Sequence, residues 1–164
     1  MNPSDGIRWP PRFHPDACPV HVCNELAMPI PADVVWACLI RAANWPAWYR
    51  NASRVRFLSG GGPDLALAAS FRWTTFGVRI ESTVQEFVPG ERIAWDGRAV
   101  GIDVYHAWLI EKTTSGCRVL TEETQHGWLA RLSHRLMPAR MGRMHQVWLE
   151  SLRDRATVGA SLAG

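Results

Sequence analysis

The sequence predicts one α+β domain in which a curved antiparallel sheet closes around a long C-terminal helix. Three observations predict it. Between residues 53 and 126, short runs alternate apolar and polar side chains, the period of a strand with one buried face. Turn signals separate those runs at Gly60–Gly62, Phe76–Gly77, Pro89–Gly90 and Thr113–Gly116. From Trp128 onward the period becomes helical, with Met137, Met141, Met144, Trp148 and Leu152 on one stripe. Such a stripe has to be buried, and the concave side of the sheet is the surface that can bury it.

Residues 1–18 are rich in proline and are expected to run extended, draped over the domain by Trp9 and Phe13. Pro19 to Met28 reads as a first strand. Pro31 suits a helix first turn, with Asp33 near the positive end of the dipole. That helix is expected to stop near Ala43–Asn44, because the residue before Pro46 is pushed away from helical geometry. A second short helix follows from Pro46 to Tyr49. Strands are then predicted at Ser53 to Ser59, Leu67 to Thr74, Val78 to Val88, Glu91 to Gly97, Ile102 to Lys112 and Cys117 to His126. Pro138 should break the last helix into pieces at 128–137 and 139–157. The chain therefore divides into an extension (1–18), a domain (19–157) and a flexible tail (158–164).

Composition narrows the function classes. The chain has 164 residues, enough to bury a real core, and is 47% hydrophobic and 20% charged. A net charge of +3 spread over scattered arginines describes a solvated surface, so no nucleic-acid partner is expected. No apolar run approaches the ~20 residues that span a bilayer. Cys18, Cys23, Cys38 and Cys117 show no C-x-x-C spacing and no signal peptide precedes them, which predicts reduced thiols in the cytoplasm. His14, His21, His126, His134 and His145 lack metal-ligand spacing, and Gly60-Gly61-Gly62 is not followed by a phosphate-binding helix. Neither a metal nor a cofactor is expected.

One sheet face carries the functional signal. Phe71, Trp73, Ile80, Ser82, Trp95, Val104, His106, Trp108, Thr121 and Glu123 fall on the predicted inward side. A face built for packing alone would use Val, Ile and Leu, which have no N–H to satisfy. Indole rings mixed with a few polar groups suit the wall of a cavity for a small organic molecule. Met137, Met141, Met144 and Trp148 would form the helix side of that cavity; the methionines adapt to varied shapes. Either set can also be plain core. Trp36, Trp45, Trp48 and Tyr49 are expected to seal one end, or to gate it.

If Lys112 faces Cys117 across the hairpin, His106 falls opposite Glu123, Trp108 opposite Thr121 and Ile110 opposite Val119. Opposed Cβ atoms lie ~4.5–5.5 Å apart, within reach of an imidazole–carboxylate contact. A slip of two residues would set His106 against Thr121 or Gln125 instead. Three roles are open to the pair: a structural ion pair, a polar contact to a ligand, or proton transfer in a cyclisation or dehydration.

Pro31-Ala32-Asp33-Val34-Val35-Trp36 followed by Trp45-Pro46-x-Trp48 resembles the opening of START-like (SRPBCC) proteins of the polyketide cyclase/dehydrase group. Phe71-x-Trp73, Pro89-Gly90 leading to Ile93-Ala94-Trp95, Tyr105-His106-Ala107-Trp108, and Thr121-Glu122-Glu123-Thr124 before Gly127 are similar too. The resemblance spans roughly residues 19–157 and implies a helix-grip fold with a hydrophobic cavity under the C-terminal helix. It does not imply one chemistry, since such folds include lipid carriers, receptors, cyclases and co-chaperones. Binding of a small hydrophobic ligand (aromatic, polyketide-like or lipid-like) is the leading expectation. The rivals are a cyclase or dehydratase using His106 and Glu123, and an interaction module resembling heat-shock ATPase activators, for which the arginines of the last helix are the candidate surface.

Overall fold

The computed structural model describes residues 6–163. Seven strands form one antiparallel sheet: β1 (Val20–Met28), β2 (Ala52–Ser59), β3 (Ser70–Thr75), β4 (Val78–Val88), β5 (Arg92–Ala99), β6 (Ile102–Thr113) and β7 (Gly116–His126). Their order is β1-β7-β6-β5-β4-β3-β2, so the first strand closes against the last. Helix α1 (Ala32–Ile40), a 3₁₀ turn (Ala42–Asn44) and α2 (Trp45–Trp48) connect β1 to β2. Helices α3 (Trp128–Leu136) and α4 (Arg140–Ala163) follow the sheet, broken at Pro138 as expected. The helix-grip fold read from the sequence is the fold observed.

Two local expectations are corrected. Trp45 takes helical angles (φ −51°, ψ −43°) despite preceding Pro46, because its indole is fully buried and donates to the Leu39 carbonyl at 2.8 Å. Packing outweighs the local bias there. Residues 158–163 are helix and not a flexible tail. Nothing in that stretch breaks a helix, and it docks on α1, where Gly159 approaches Val34. Gly164 and residues 1–5 of the extension lie outside the described residues.

The central strands are buried on both faces: Val104 through Ile110 of β6 are all inaccessible. On the concave side they meet α4. On the convex side the N-terminal extension covers Ala94, Tyr105 and Ala107 with Ile7, Trp9 and Phe13. Phe13 stacks on Tyr105 (centroids 5.6 Å apart), its carbonyl accepts from Thr124 Oγ1 at 2.9 Å, and Arg12 pairs with Asp103. Burial, with Glu86 and Asp96 nearby, pushes the Tyr105 phenol up to about 12. Deleting residues 1–13 should therefore return one tyrosine toward the ordinary value near 10 in an alkaline absorbance titration. An unchanged titration would show that the extension does not desolvate Tyr105.

The strand turns also place α3. Gly127 enters it at φ +109°, where a Cβ would come 2.2 Å from the Gly101 carbonyl oxygen. Only glycine allows this approach. It lets the Leu129 amide donate to Gly101 O (3.1 Å) and pins α3 beside the start of β6. None of the helices searched among the described residues is long and apolar enough to cross a membrane.

Candidate functional site

The concave side of the sheet and α4 enclose an aromatic cluster centred on Trp148, which is 1% exposed. Trp148 stacks on Tyr49 at 4.5 Å and meets Trp45, Trp73, Trp108 and His106 at 5.1–5.7 Å. These rings fill the end of the hollow near α2. At the α3 end they leave a cavity of about 260 Å³. That is just below the usual range for ligand pockets, ~300–1,000 Å³.

Trp73, Ile80, Ser82, Trp95, Val104, His106 and Glu123 line the cavity from the sheet, as the strand alternation predicted; Trp148, Met141 and Met137 line it from the helical side. Four expected members do not reach it. Phe71 is packed behind Trp73 against Trp45 and Phe57. Trp108 is covered by Trp148 and His106. Thr121 is fully buried beneath His106, and Met144 faces Asn51, whose amide reaches its sulfur at 3.4 Å. Alternation fixes the face a side chain takes, not how deep along that face the open space lies.

Several lining residues were not anticipated: Val20, Thr75, Phe76, Val78, Ile102, Gln125, Leu129, Ala130, Ser133, His134 and Arg140. Most surround the mouth, where Met137 and Arg140 are exposed. Trp45 and Tyr49 are sealed at the opposite end, so the α2 cluster closes the hollow there. The signal that could have located the mouth is the Pro138 break, which lets α3 cross the sheet edge separately from α4.

The polar corner is built by the β6–β7 hairpin. The observed register pairs His106 with Glu123, Trp108 with Thr121 and Ile110 with Val119, as the hairpin spacing predicted. His106 Nδ1 lies 3.0 Å from Glu123 Oε2, and His106 Nε2 lies 2.7 Å from Thr121 Oγ1. Gln125 Nε2 donates to Glu123 Oε1 at 2.6 Å. Burial pushes the His106 imidazole below its ordinary value, against the pull of Glu123. Burial alone would raise the Glu123 carboxyl, but His106 and His145 together hold it well below the usual carboxylate range. The corner therefore rests as a buried carboxylate receiving hydrogen bonds.

His145 is the residue that sequence spacing passed over. It lies on α4, fully buried, with its ring nearly parallel to that of His106 (7°, centroids 4.8 Å apart). Its Nε2 is 3.4 Å from the same carboxylate oxygen, Glu123 Oε2. Ser82 accepts from Trp73 Nε1 at 3.2 Å, whereas Ser70 points outward to Thr83.

The sequence profile of a family described as polyketide cyclase / dehydrase and lipid transport matches residues 20–157. No curated protein matches the chain. Among solved structures, a hypothetical protein from Helicobacter pylori is 31% identical, covering 95% of this chain and 99% of that one with a TM-score of 0.87. The aromatase/cyclase Zhui from Streptomyces sp. R1128 is 15% identical, covering 84% of this chain and 93% of that one (TM-score 0.70). One part of the di-domain aromatase/cyclase StfQ, of the steffimycin biosynthetic pathway, is 14% identical over 87% of this chain and 52% of that one (TM-score 0.70). The last two likenesses are of fold alone.

Proposed function

The chain belongs to the polyketide cyclase / dehydrase and lipid transport family, and from that premise we propose that it binds a small, largely apolar aromatic molecule in the cavity between sheet and α4. The observation that carries this reading is the composition of the lining: Trp73 and Trp95 from the sheet and Trp148 from α4, beside a buried imidazole–carboxylate pair. The rings supply apolar contact, and the pair supplies one place for a hydroxyl or carbonyl. A volume near 260 Å³ favours one or two rings over a long acyl chain.

Binding is better supported than a cyclase or dehydratase step. Both nitrogens of His106 are already held within the protein, by Glu123 at 3.0 Å and Thr121 at 2.7 Å, so proton transfer to a substrate would have to displace the Thr121 hydroxyl or pass through it.

The test is a titration of intrinsic tryptophan fluorescence with bicyclic phenols, flavonoids and medium-chain fatty acids. Three of the nine tryptophans line the cavity, so a bound aromatic should give a saturable change with a micromolar dissociation constant. A flat response to every compound contradicts the proposal.

A further inference from the structure

We propose that His106, Glu123 and His145 form a binding site for one divalent transition-metal ion of the zinc or iron class, with its open coordination positions facing the cavity. The three residues are all buried, and one donor atom from each lies within 4.8 Å of the others. They arrive from β6, β7 and α4, so no sequence spacing announces them.

Two of the three separations suit cis donors on one ion. With metal–ligand bonds of roughly 2.0–2.2 Å, donors at right or tetrahedral angles stand roughly 2.9–3.6 Å apart. His106 Nδ1 and His145 Nε2 stand 3.0 and 3.4 Å from Glu123 Oε2. Two imidazoles with one carboxylate is a donor set for zinc, iron or cobalt; calcium and magnesium prefer oxygen alone.

An independent observation points the same way. His145 is 0% exposed, yet its Nδ1 has no partner among the described residues and its Nε2 has only the 3.4 Å approach to Glu123 Oε2, too poorly placed for a good hydrogen bond. A buried imidazole so thinly satisfied is costly, and an ion at Nε2 would give that nitrogen a proper partner. The outer contacts fit as well. Donation from His106 Nε2–H to Thr121 Oγ1 would leave the Nδ1 lone pair aimed at the centre of the cluster, and Gln125 holds the other oxygen of Glu123. His106 and Glu123 also line the cavity, which gives an ion its way in.

The proposal stands apart from the ligand-binding reading, because its test uses metal alone. The full chain, stripped with a chelator, is dialysed against Zn²⁺ and measured by elemental analysis, with Co²⁺ absorption reporting coordination. One ion per chain is expected, with a raised melting temperature. His145→Gln and Glu123→Gln should each weaken binding by about tenfold or more, and the exposed His14→Gln should not. No ion retained at about 100 μM Zn²⁺ overturns the proposal. So does binding that survives His145→Gln but disappears in Cys18→Ser, which would assign the ion to the Cys18–His126 contact at 3.3 Å. Should Glu123→Gln fail to fold, the Co²⁺ spectrum of the wild-type chain and the His145→Gln affinity decide.

Discussion

Replacing Trp148 by alanine lowers the free energy of unfolding by about 3–5 kcal/mol, the range for deleting a large aromatic from a packed core. Trp148 is where the fold and the cavity meet. It packs against rings from α2, β3, β5 and β6, so its removal unties both sides of the hollow at once. The neighbouring rings are themselves rigid and nearly all buried, which limits how far they can collapse into the space. Trp148→Phe keeps part of the stack on Tyr49 and should cost less. The same truncation joins the filled end of the hollow to the open end, so the variant should accept larger ligands than the wild type. Urea unfolding followed by far-UV circular dichroism measures the first effect. A loss below about 1 kcal/mol would mean that the aromatic cluster is not the core of this domain.

His106→Ala is expected to cost about 3 kcal/mol, near the low end for unpairing a buried ion, because Gln125 and His145 stay beside Glu123. The more informative result comes from the pair. Replacing both His106 and Glu123 by leucine removes the charge and its partner together, and should cost less than the single His106→Ala change. Three urea curves in the presence of a chelator suffice. A double variant less stable than the single one would show that the pair contributes more to stability than apolar packing could. The cavity reading expects the opposite: a fold that tolerates a polar corner kept for contact with something else.

What the sequence could reveal follows from the range of the signals in it. Hairpin register is local, so the spacing around Thr113–Gly116 was enough to set His106 opposite Glu123. The break at Pro138 and the strand turns were legible for the same reason. His145 was not, because a helix meets a sheet face through an approach that no spacing encodes. The convex face was only half legible. Trp9 and Phe13 suggested that the extension drapes the domain, but that it buries β6 on its second face appears only when Tyr105 is seen beneath both rings. Cavity membership was the least legible. Phe71, Trp108 and Thr121 do point inward, but Trp45 and Trp148 occupy the space in front of them.

The direct test of a hollow that admits a guest is to fill it from the protein's own side. Ala130 of α3 lines the cavity and is 1% exposed, so Ala130→Phe places a ring inside it at a cost of about 1–3 kcal/mol, with His106 and Glu123 left unsubstituted. The measurement is the fluorescence titration of this variant beside the wild type with the same bicyclic phenol. Saturable binding by the wild type, weakened at least about tenfold in the folded variant, is the predicted result. Equal affinity in the two chains would contradict it, because the molecule would then be binding somewhere other than between the sheet and its helix.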